Sequence, residues 1–571
     1  MSVRFFTRVS TCIFAAMMAA SLAACNRGRE TADAVYFGGP IYTGLVSAPT
    51  VEAVAVKDGA ILMAGRRAEI DALTGPQTDV VDLKGAAMFP GFVDSHAHLF
   101  GIGMRELTLN LEGVASIAEL VEIVAANVVE SNAGEVVYGR GWIETGWPEK
   151  RFPTRDDLDP ISPDNAVLLV RADGHALVAN SAALKAAEID ERTPDPTGGR
   201  IERDADRRPT GMLIDNAMAL AEKLIAAPGP AQKEEAYRVG AEVYAAYGWT
   251  GLHNMSQDPS DVSMIERLGD EGGVPIRVYN AIEPKGLDAL ARSGPRANKN
   301  GKVVTRAVKL YADGALGSRG AALLAPYTDR PDTSGLTLMT SEEAATALKT
   351  ARDAGIQVSV HAIGDRANRA VLDWYEASRA AAGPEWRSRP SPRWRIEHAQ
   401  VINPADIPRF ANLGVIASMQ PSHAIGDLYF APARLGPERL KGAYAWRSLL
   451  DSGAVIAGGS DAPVERGDPA IEFYAAVARK SLDGYSDDNW HAEEKVSRAE
   501  ALTMFTAAPA YASFRETELG TIEKGKRADF SIFSKDLMTV PEVEILQAKA
   551  VMTVVDGEAV FSQTEEGSAD H

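Results

Sequence analysis

Eight short apolar runs, separated by helix-like stretches, constrain the fold of this chain more than any other feature. The runs lie at 87–94, 250–254, 276–281, 308–312, 357–361, 395–398, 415–420 and 454–458. Strands that alternate with helices in this way form parallel sheets. Eight such units predict an α/β fold built on a (β/α)8 TIM barrel, in which functional groups lie at the carboxyl ends of the strands.

The two ends of the chain predict a second, smaller domain. The chain has 571 residues, which is more than a barrel of about 250 residues needs. Segments 34–88 and 515–563 contain short alternating runs joined by Asp58-Gly59 and Asp556-Gly557, which are typical of hairpin turns. Each segment is too short for a comfortable core of its own. We therefore expect both segments to form one composite β-sandwich domain beside a barrel over 89–514.

The gap between the first and second runs predicts an insertion in the barrel. A single helix cannot account for the distance between 94 and 250, and the gap includes the proline-rich stretch 153–163. We expect an inserted subdomain over 110–235.

The N-terminus predicts export and lipid anchoring. Residues 1–24 carry Arg4 and Arg8 and then a stretch without charge, which is the pattern of a signal peptide. The sequence Leu22-Ala23-Ala24-Cys25 resembles the lipobox of bacterial lipoproteins, in which the signal is cleaved before a cysteine that is then acylated. This resemblance implies lipidation of Cys25, a linker over 25–33 and a location outside the cytoplasm in the cell envelope. Asn26 would favour the outer membrane in a Gram-negative cell.

Composition excludes several kinds of partner. Lys and Arg total 59 against 78 Asp and Glu, a net charge of −19 that argues against nucleic acid and against anionic lipid surfaces. The lipid anchor is therefore the expected membrane contact. Cys12 would leave with the signal and Cys25 would be acylated, so disulfides and thiolate metal sites are excluded from the mature chain.

Several polar residues fall at the predicted carboxyl ends of barrel strands. His96 and His98 end the first run, and residues two apart in an extended chain point to the same side. The other members of the set are Lys309 in the fourth run, His361 and His398 at the ends of the fifth and sixth, and Asp461 after the eighth. Imidazole and carboxylate groups that converge on one rim predict a site for a divalent metal.

Six segments of the chain resemble one known family. They are 89–98 (FPGFVDSHAH), 309–319, 361–365 (HAIGD), 397–399 (EHA), 460–463 (SDAP) and 525–529 (GKRAD). Together they resemble the amidohydrolase superfamily, and more narrowly its YtcJ-like, amidohydrolase-3 branch, over nearly the whole mature chain. The resemblance implies a barrel with a split β domain.

The same resemblance implies a mechanism. Two divalent ions would be bound, with zinc favoured over Mn, Fe or Co, and Lys309 would bridge them as a carbamate. The implied ligands are His96, His98, Lys309, His361, His398 and Asp461. Metal coordination would generate hydroxide, and Asp461 would act as general acid and base. The expected reaction is hydrolysis of a non-peptide C–N bond in a small-molecule amide, and an N-substituted amide is the favoured substrate.

Two other functions stay open at this point. One is a one-metal deaminase or cyclic-amide hydrolase, in which Lys309 stays unmodified as a salt bridge or a contact to a substrate anion. The other is a solute-binding lipoprotein that kept the barrel without catalysis. Candidate substrate contacts are His175 in the insertion, Arg319 after the fourth run and His423 after the seventh, although Arg319 is equally suited to a salt bridge. A homodimer is compatible with the resemblance, since such barrels commonly dimerise.

Overall fold

The computed structural model describes residues 31–172, 174, 176–197, 199–384, 391–486 and 490–563. The predicted signal peptide, the lipidation site Cys25 and the candidate substrate contact His175 lie outside the described residues. Among those residues, every helix is too short or too polar to cross a lipid bilayer.

A barrel of parallel strands confirms the predicted fold class. Within the described part of the chain, eight parallel strands form one continuous sheet, in the order of the sequence. They are Phe92–Ala97, Trp249–Gln257, Arg277–Ile282, Val303–Tyr311, Gln357–Ala362, Arg395–His398, Ile416–Met419 and Val455–Gly458, here called barrel strands one to eight. The short strand Arg296–Ala297 pairs antiparallel with strand four. Backbone hydrogen bonds from Asp461 N to His96 O (2.6 Å) and from His98 N to Ala462 O (2.8 Å) close the barrel.

The first predicted run is two strands rather than one. Ala87–Pro90 pairs antiparallel with Phe530–Phe533, whereas barrel strand one begins at Phe92. Gly91 separates them, and a Cβ at this position would lie 2.3 Å from Thr250 Oγ1. Because Pro90 lacks an N–H and Gly91 has no side chain, the backbone can leave one sheet and enter the other over a single residue.

Strands from both chain ends share one sheet. Counting only described residues, this sheet has eight strands, which are Ala34–Tyr42, Thr50–Lys57, Ala60–Gly65, Asp79–Asp82, Ala87–Pro90, Phe530–Phe533, Ala550–Val555 and Glu558–Ser562. Ala87–Pro90 is the N-terminal strand that pairs with the C-terminal group, so it joins the two halves.

A separate sheet lies between barrel strands one and two. Its strands are Leu109–Asn110, Val137–Trp142, Val167–Arg171, Ala176–Ala179, Gly199–Arg203 and Pro209–Asp215. Helix Pro230–Tyr247 follows this sheet, although it begins inside the predicted insertion, and it packs on helix Leu99–Leu107. A Cβ at Gly103 would lie 1.7 Å from Ala236 O, so these helices need a glycine where they cross. The contact supports the chain directly after His98.

The remaining elements connect the strands and cover the barrel. The other helices are Arg67–Asp71, Ile117–Glu130, Arg155–Leu158, Ser181–Ala186, Ala219–Glu222, Val262–Glu271, Leu287–Ser293, Ser341–Ala354, Asp365–Ala381, Ile407–Leu413, Pro421–Asp427, Ala431–Leu435, Pro437–Leu440, Trp446–Asp451, Pro469–Ala478, Arg498–Phe505, Ala507–Ala512 and Glu542–Ile545. Short 3₁₀ turns lie at Glu144–Gly146, Asp159–Ile161, Pro284–Gly286, Pro404–Asp406 and Ala492–Glu494.

Candidate metal centre

His96 and His98 project from the end of barrel strand one towards the same carboxylate. His98 Nε2 lies 3.0 Å from Asp461 Oδ1, and His96 Nε2 lies 3.3 Å from the same oxygen. The outer nitrogen of each ring has its own partner: His96 Nδ1 is 2.7 Å from Glu397 Oε2, and His98 Nδ1 is 3.1 Å from Met255 O. Both Nδ1 atoms therefore donate, and both Nε2 lone pairs face the site.

Asp461 reaches the two histidines because the chain turns sharply after barrel strand eight. Its backbone has a φ of 66°, and its N–H donates to His96 O. Asp94 binds Ser460, the residue before Asp461. Its Oδ1 accepts a hydrogen bond from Ser460 N (3.0 Å), and its Oδ2 accepts one from Ser460 Oγ (2.6 Å). Asp94 also accepts the Tyr244 hydroxyl at 2.9 Å. This network fixes the loop that carries Asp461.

Lys309 lies among the histidines, in the interior of the barrel. Its side chain is buried, and its Nζ is 3.4 Å from His96 Nε2. Among the described residues, the Lys309 amine forms no ion pair. Burial lowers the pKa of Lys309 to about 8.

His361 and His398 complete the ring of imidazoles. Their ring centroids are 4.5 Å apart, and the centroids of His398 and His96 are 4.7 Å apart. His398 Nδ1 donates to Gln420 Oε1 at 2.9 Å, which leaves its Nε2 as an acceptor. His361 Nε2 lies 3.5 Å from Gly314 O, so its Nδ1 is the nitrogen left for a ligand.

The donor set fits a divalent metal. His96, His98 and Asp461 have donor atoms within 4.8 Å of one another, and His398 has a donor atom equally close to one of Asp461. Burial lowers the pKa of His96 to about 4 and that of His361 to about 3. These imidazoles are therefore neutral at pH 7, which is the form that binds metals. Burial alone would raise the pKa of Asp461, but His96 and His98 hold it well below its ordinary value.

Glu397 and Arg395 form a buried layer below the ring, which the sequence did not identify as part of the site. Both side chains are fully buried, and Arg395 Nε lies 2.7 Å from Glu397 Oε1. Arg395 also contacts His253 Nδ1 at 2.7 Å. Burial alone would raise the pKa of Glu397, but Arg395 and His96 hold it far below its ordinary value. Glu397 is therefore an anion that orients His96. The available signal was its position directly before His398.

The three candidate substrate contacts lie in different surroundings. Arg319 pairs with Asp329 on the loop after barrel strand four, with 2.7 Å between Nη2 and Oδ2, the salt-bridge placement that its sequence position also allowed. His423 lies in helix Pro421–Asp427 with its Nε2 3.6 Å from Asp461 Oδ2. His175 lies outside the described residues.

A parallel barrel with neutral imidazoles, a carboxylate and a buried lysine at its carboxyl end defines a metal-dependent hydrolase of the TIM-barrel class. The amidohydrolase family model Amidohydro_3 matches residues 79–561, and the chain belongs to this family. It is accordingly a hydrolase of carbon–nitrogen bonds other than peptide bonds.

The chain is similar to known proteins over nearly the whole length of each. The YtcJ protein of Bacillus subtilis (strain 168) is 35% identical over 93% of this chain and 100% of its own. The N-substituted formamide deformylase of Arthrobacter pascens is 29% identical over 90% of this chain and 95% of its own. The solved structure of a metal-dependent hydrolase from Pyrococcus horikoshii OT3 is 28% identical, covers 89% of this chain and 99% of its own, and has a TM-score of 0.72.

Proposed function

We propose that this protein hydrolyses an N-substituted amide of a small molecule, with two divalent ions bound at the carboxyl end of the barrel. Zinc is favoured because imidazole and carboxylate ligands suit it. The ligands would be His96, His98, Lys309, His361, His398 and Asp461. The observation that carries the proposal is the position of Asp461, whose Oδ1 lies 3.3 Å from His96 Nε2 and 3.0 Å from His98 Nε2, while its Oδ2 lies 3.6 Å from His423 Nε2. The formamide deformylase relative supports the substrate class.

The proposal assigns Lys309 a carbamate that bridges the two ions. A neutral amine attacks the carbon of CO2, an N–C bond forms and a proton is lost. Three observations support this assignment: the side chain is buried, it lies next to His96 Nε2, and it pairs with no acid of the described residues. An ammonium would repel two cations at this position, whereas a carbamate provides anionic oxygens for them.

In this proposal, different residues of the chain transfer the proton and orient the metal ligands. Bound divalent ions supply Lewis acidity, which lowers the pKa of water and polarises a carbonyl. Asp461 accepts the proton of the attacking water on its carboxylate and returns it to the amide nitrogen as the C–N bond breaks. Glu397 holds His96, and Gln420 holds His398, in the tautomers that present Nε2 to the ions. An amine and a carboxylate leave.

Metal analysis and turnover of p-nitroformanilide test this function together. Protein stripped of metal and reloaded with zinc should bind about two ions per chain, and reloading should depend on CO2. We expect release of p-nitroaniline to fall by about 10²–10⁴-fold in Asp461→Asn. His491→Gln, at a partly exposed histidine paired with Glu493, should match the unaltered protein. One ion with no dependence on bicarbonate would favour a one-metal enzyme, and solute binding without Asp461-dependent turnover would favour a binding protein.

We also propose that the enzyme lies outside the cytoplasm in the cell envelope, anchored by a lipid on Cys25. The segment Leu22-Ala23-Ala24-Cys25 and the preceding uncharged stretch support it. The unaltered chain should incorporate labelled palmitate and partition into Triton X-114, and Cys25→Ser should do neither. Palmitate incorporation into Cys25→Ser would contradict the assignment.

A further inference from the structure

A buried chain of polar groups lies behind His423. Gln400 Nε2 is 3.3 Å from His423 Nδ1 and 3.3 Å from Asp427 Oδ2. The amide nitrogen must face Asp427, because an amide oxygen there would meet a carboxylate oxygen. The Tyr444 hydroxyl donates to the same oxygen of Asp427 and fixes it from the other side.

The hydrogen bond between Gln400 and His423 sets the tautomer of His423. Gln400 has only hydrogens to offer from its Nε2, so His423 Nδ1 must accept. The ring proton of the neutral imidazole therefore lies on Nε2. A protonated ring nitrogen has no lone pair for a metal, so His423 differs from His96 and His398, whose Nδ1 atoms donate and whose Nε2 atoms are free.

The Nε2–H group of His423 lies on the side of the ring that faces Asp461, but no described residue accepts a hydrogen bond from it. The side chain is only 10% exposed. Asp461 Oδ2 lies 3.6 Å away and Glu465 Oε1 lies 3.9 Å away, both beyond hydrogen-bond distance. Buried donors in folded proteins are almost always paired. The missing acceptor is therefore best supplied by a bound molecule.

We propose that His423 is a further catalytic residue, a neutral donor that hydrogen-bonds the acyl oxygen of the substrate, and that Gln400 is its positioning residue. This inference rests on the proposed function, because it takes Asp461 as the group that accepts the proton of the attacking water. Water held at Asp461 Oδ2 would attack an acyl carbon within a few ångström of that oxygen. His423 Nε2, at 3.6 Å from Oδ2, is within reach of the same acyl group.

The step balances without any change in the protonation of His423. The water oxygen forms a bond to the acyl carbon, the carbonyl electron pair moves onto the acyl oxygen, and Asp461 takes the water proton. The acyl oxygen becomes more negative, so the hydrogen bond from Nε2–H strengthens as the carbon becomes tetrahedral. When the C–N bond breaks, the proton passes from Asp461 to nitrogen and the acyl oxygen becomes a carbonyl oxygen again. The product acid then loses its remaining proton to solvent and leaves as a carboxylate.

Two variants of His423 separate this role from metal binding. In His423→Leu the donor is lost, and kcat for p-nitroformanilide should fall by about 100-fold with KM changed by less than about threefold. In His423→Gln an amide N–H replaces the ring N–H, and we expect most of the loss to be rescued. Gln400→Met should lower kcat in the same direction by a smaller factor. Zinc content should equal that of the unaltered protein in all three variants.

Binding of small anions provides a readout that does not need turnover. Phosphite is tetrahedral and formate is planar, so they resemble the tetrahedral state and the acid product of a formamide. On zinc-loaded protein, His423→Leu should weaken phosphite at least about tenfold and formate by less than about threefold. Calorimetry of both anions measures this difference.

The outcomes decide between the alternatives. Loss of zinc in His423→Leu would make His423 a metal ligand and overturn the inference. Equal weakening of phosphite and formate, or a raised KM with unchanged kcat, would overturn it in favour of a role in ground-state binding. If the unaltered protein hydrolyses no amide, the proposed function fails, and the phosphite difference still shows whether His423 recognises a tetrahedral oxyanion.

Discussion

At the scale of single residues, the site depends on partners that fix which nitrogen of each imidazole is free. Glu397 accepts from His96, Gln420 accepts from His398, and Met255 O accepts from His98. The histidines themselves could be predicted from their positions after apolar runs. The contacts of Glu397, Arg395 and Asp94 could not be predicted, because the position of an acid or a base within a strand does not show which distant side chain it meets, as Glu397 meets His96.

Replacement of Glu397 tests whether the buried partner of His96 supports metal binding. Glu397→Gln keeps the shape of the side chain but removes the anion that holds His96 Nδ1–H, at 2.7 Å. Loss of such a partner lowers metal affinity by about 10- to 100-fold. Competition with a chromogenic chelator measures the affinity, and thermal unfolding of the zinc-free protein checks that the fold survives. Glu438→Gln, an exposed acid paired with Lys441, is the matched control. Equal affinity in both variants would contradict a role for Glu397 at the metal centre.

At the scale of elements, the site depends on how barrel strand eight meets strand one. Gly459 lies in the turn after strand eight, and a Cβ there would be 2.5 Å from His96 N and 2.8 Å from Asp94 Oδ1. The sequence predicted both strands, because their apolar runs are clear. It did not predict that 87–94 divides between two sheets, since Pro90 and Gly91 look like part of one continuous run.

Replacement of Gly459 by alanine should separate the two strands. Because backbone and a fixed carboxylate surround the new methyl group, neither can move aside, and the strain should cost about 1–3 kcal/mol. We also expect weaker zinc binding, since Asp461 follows two residues later. Gly383→Ala introduces a methyl group with no atom within 4 Å, and it should leave the melting temperature and the zinc content unchanged. A Gly459→Ala protein with full zinc content and normal stability would show that the strands can tolerate a wider gap.

At the scale of the whole molecule, the sheet built from the two chain ends is tied to the barrel by buried charge. Arg277, at the start of barrel strand three, donates to Asp529 Oδ2 (2.5 Å) and to Asp556 Oδ1 (2.6 Å). The sequence predicted that the ends meet, from the two Asp-Gly hairpin turns. It could not predict this ion cluster, which joins residues more than 250 positions apart.

Loss of Arg277 should therefore weaken the whole assembly. Arg277→Leu leaves Asp529 buried without its cation, and removing one partner of a buried pair costs about 3–5 kcal/mol. Urea unfolding followed by tryptophan fluorescence measures the change. Arg192→Leu, which removes an exposed arginine paired with Asp190, should show no resolvable effect. If the two variants unfolded at the same urea concentration, the cluster would contribute nothing to the union of sheet and barrel.

The same cluster predicts a dependence on pH. Burial alone would raise the pKa of Asp556, but Arg277 holds it below the ordinary value of 3.8. A carboxyl whose pKa is lower in the folded state stabilises that state fully above its unfolded pKa, and the stabilisation is lost as the pH falls through the folded pKa. The difference in unfolding free energy between the unaltered protein and Arg277→Leu should thus be constant from pH 7 to about pH 5 and shrink below about pH 4. Because Asp556 is protonated in both proteins at the acid end, a difference that grew there would require a source other than this ion pair.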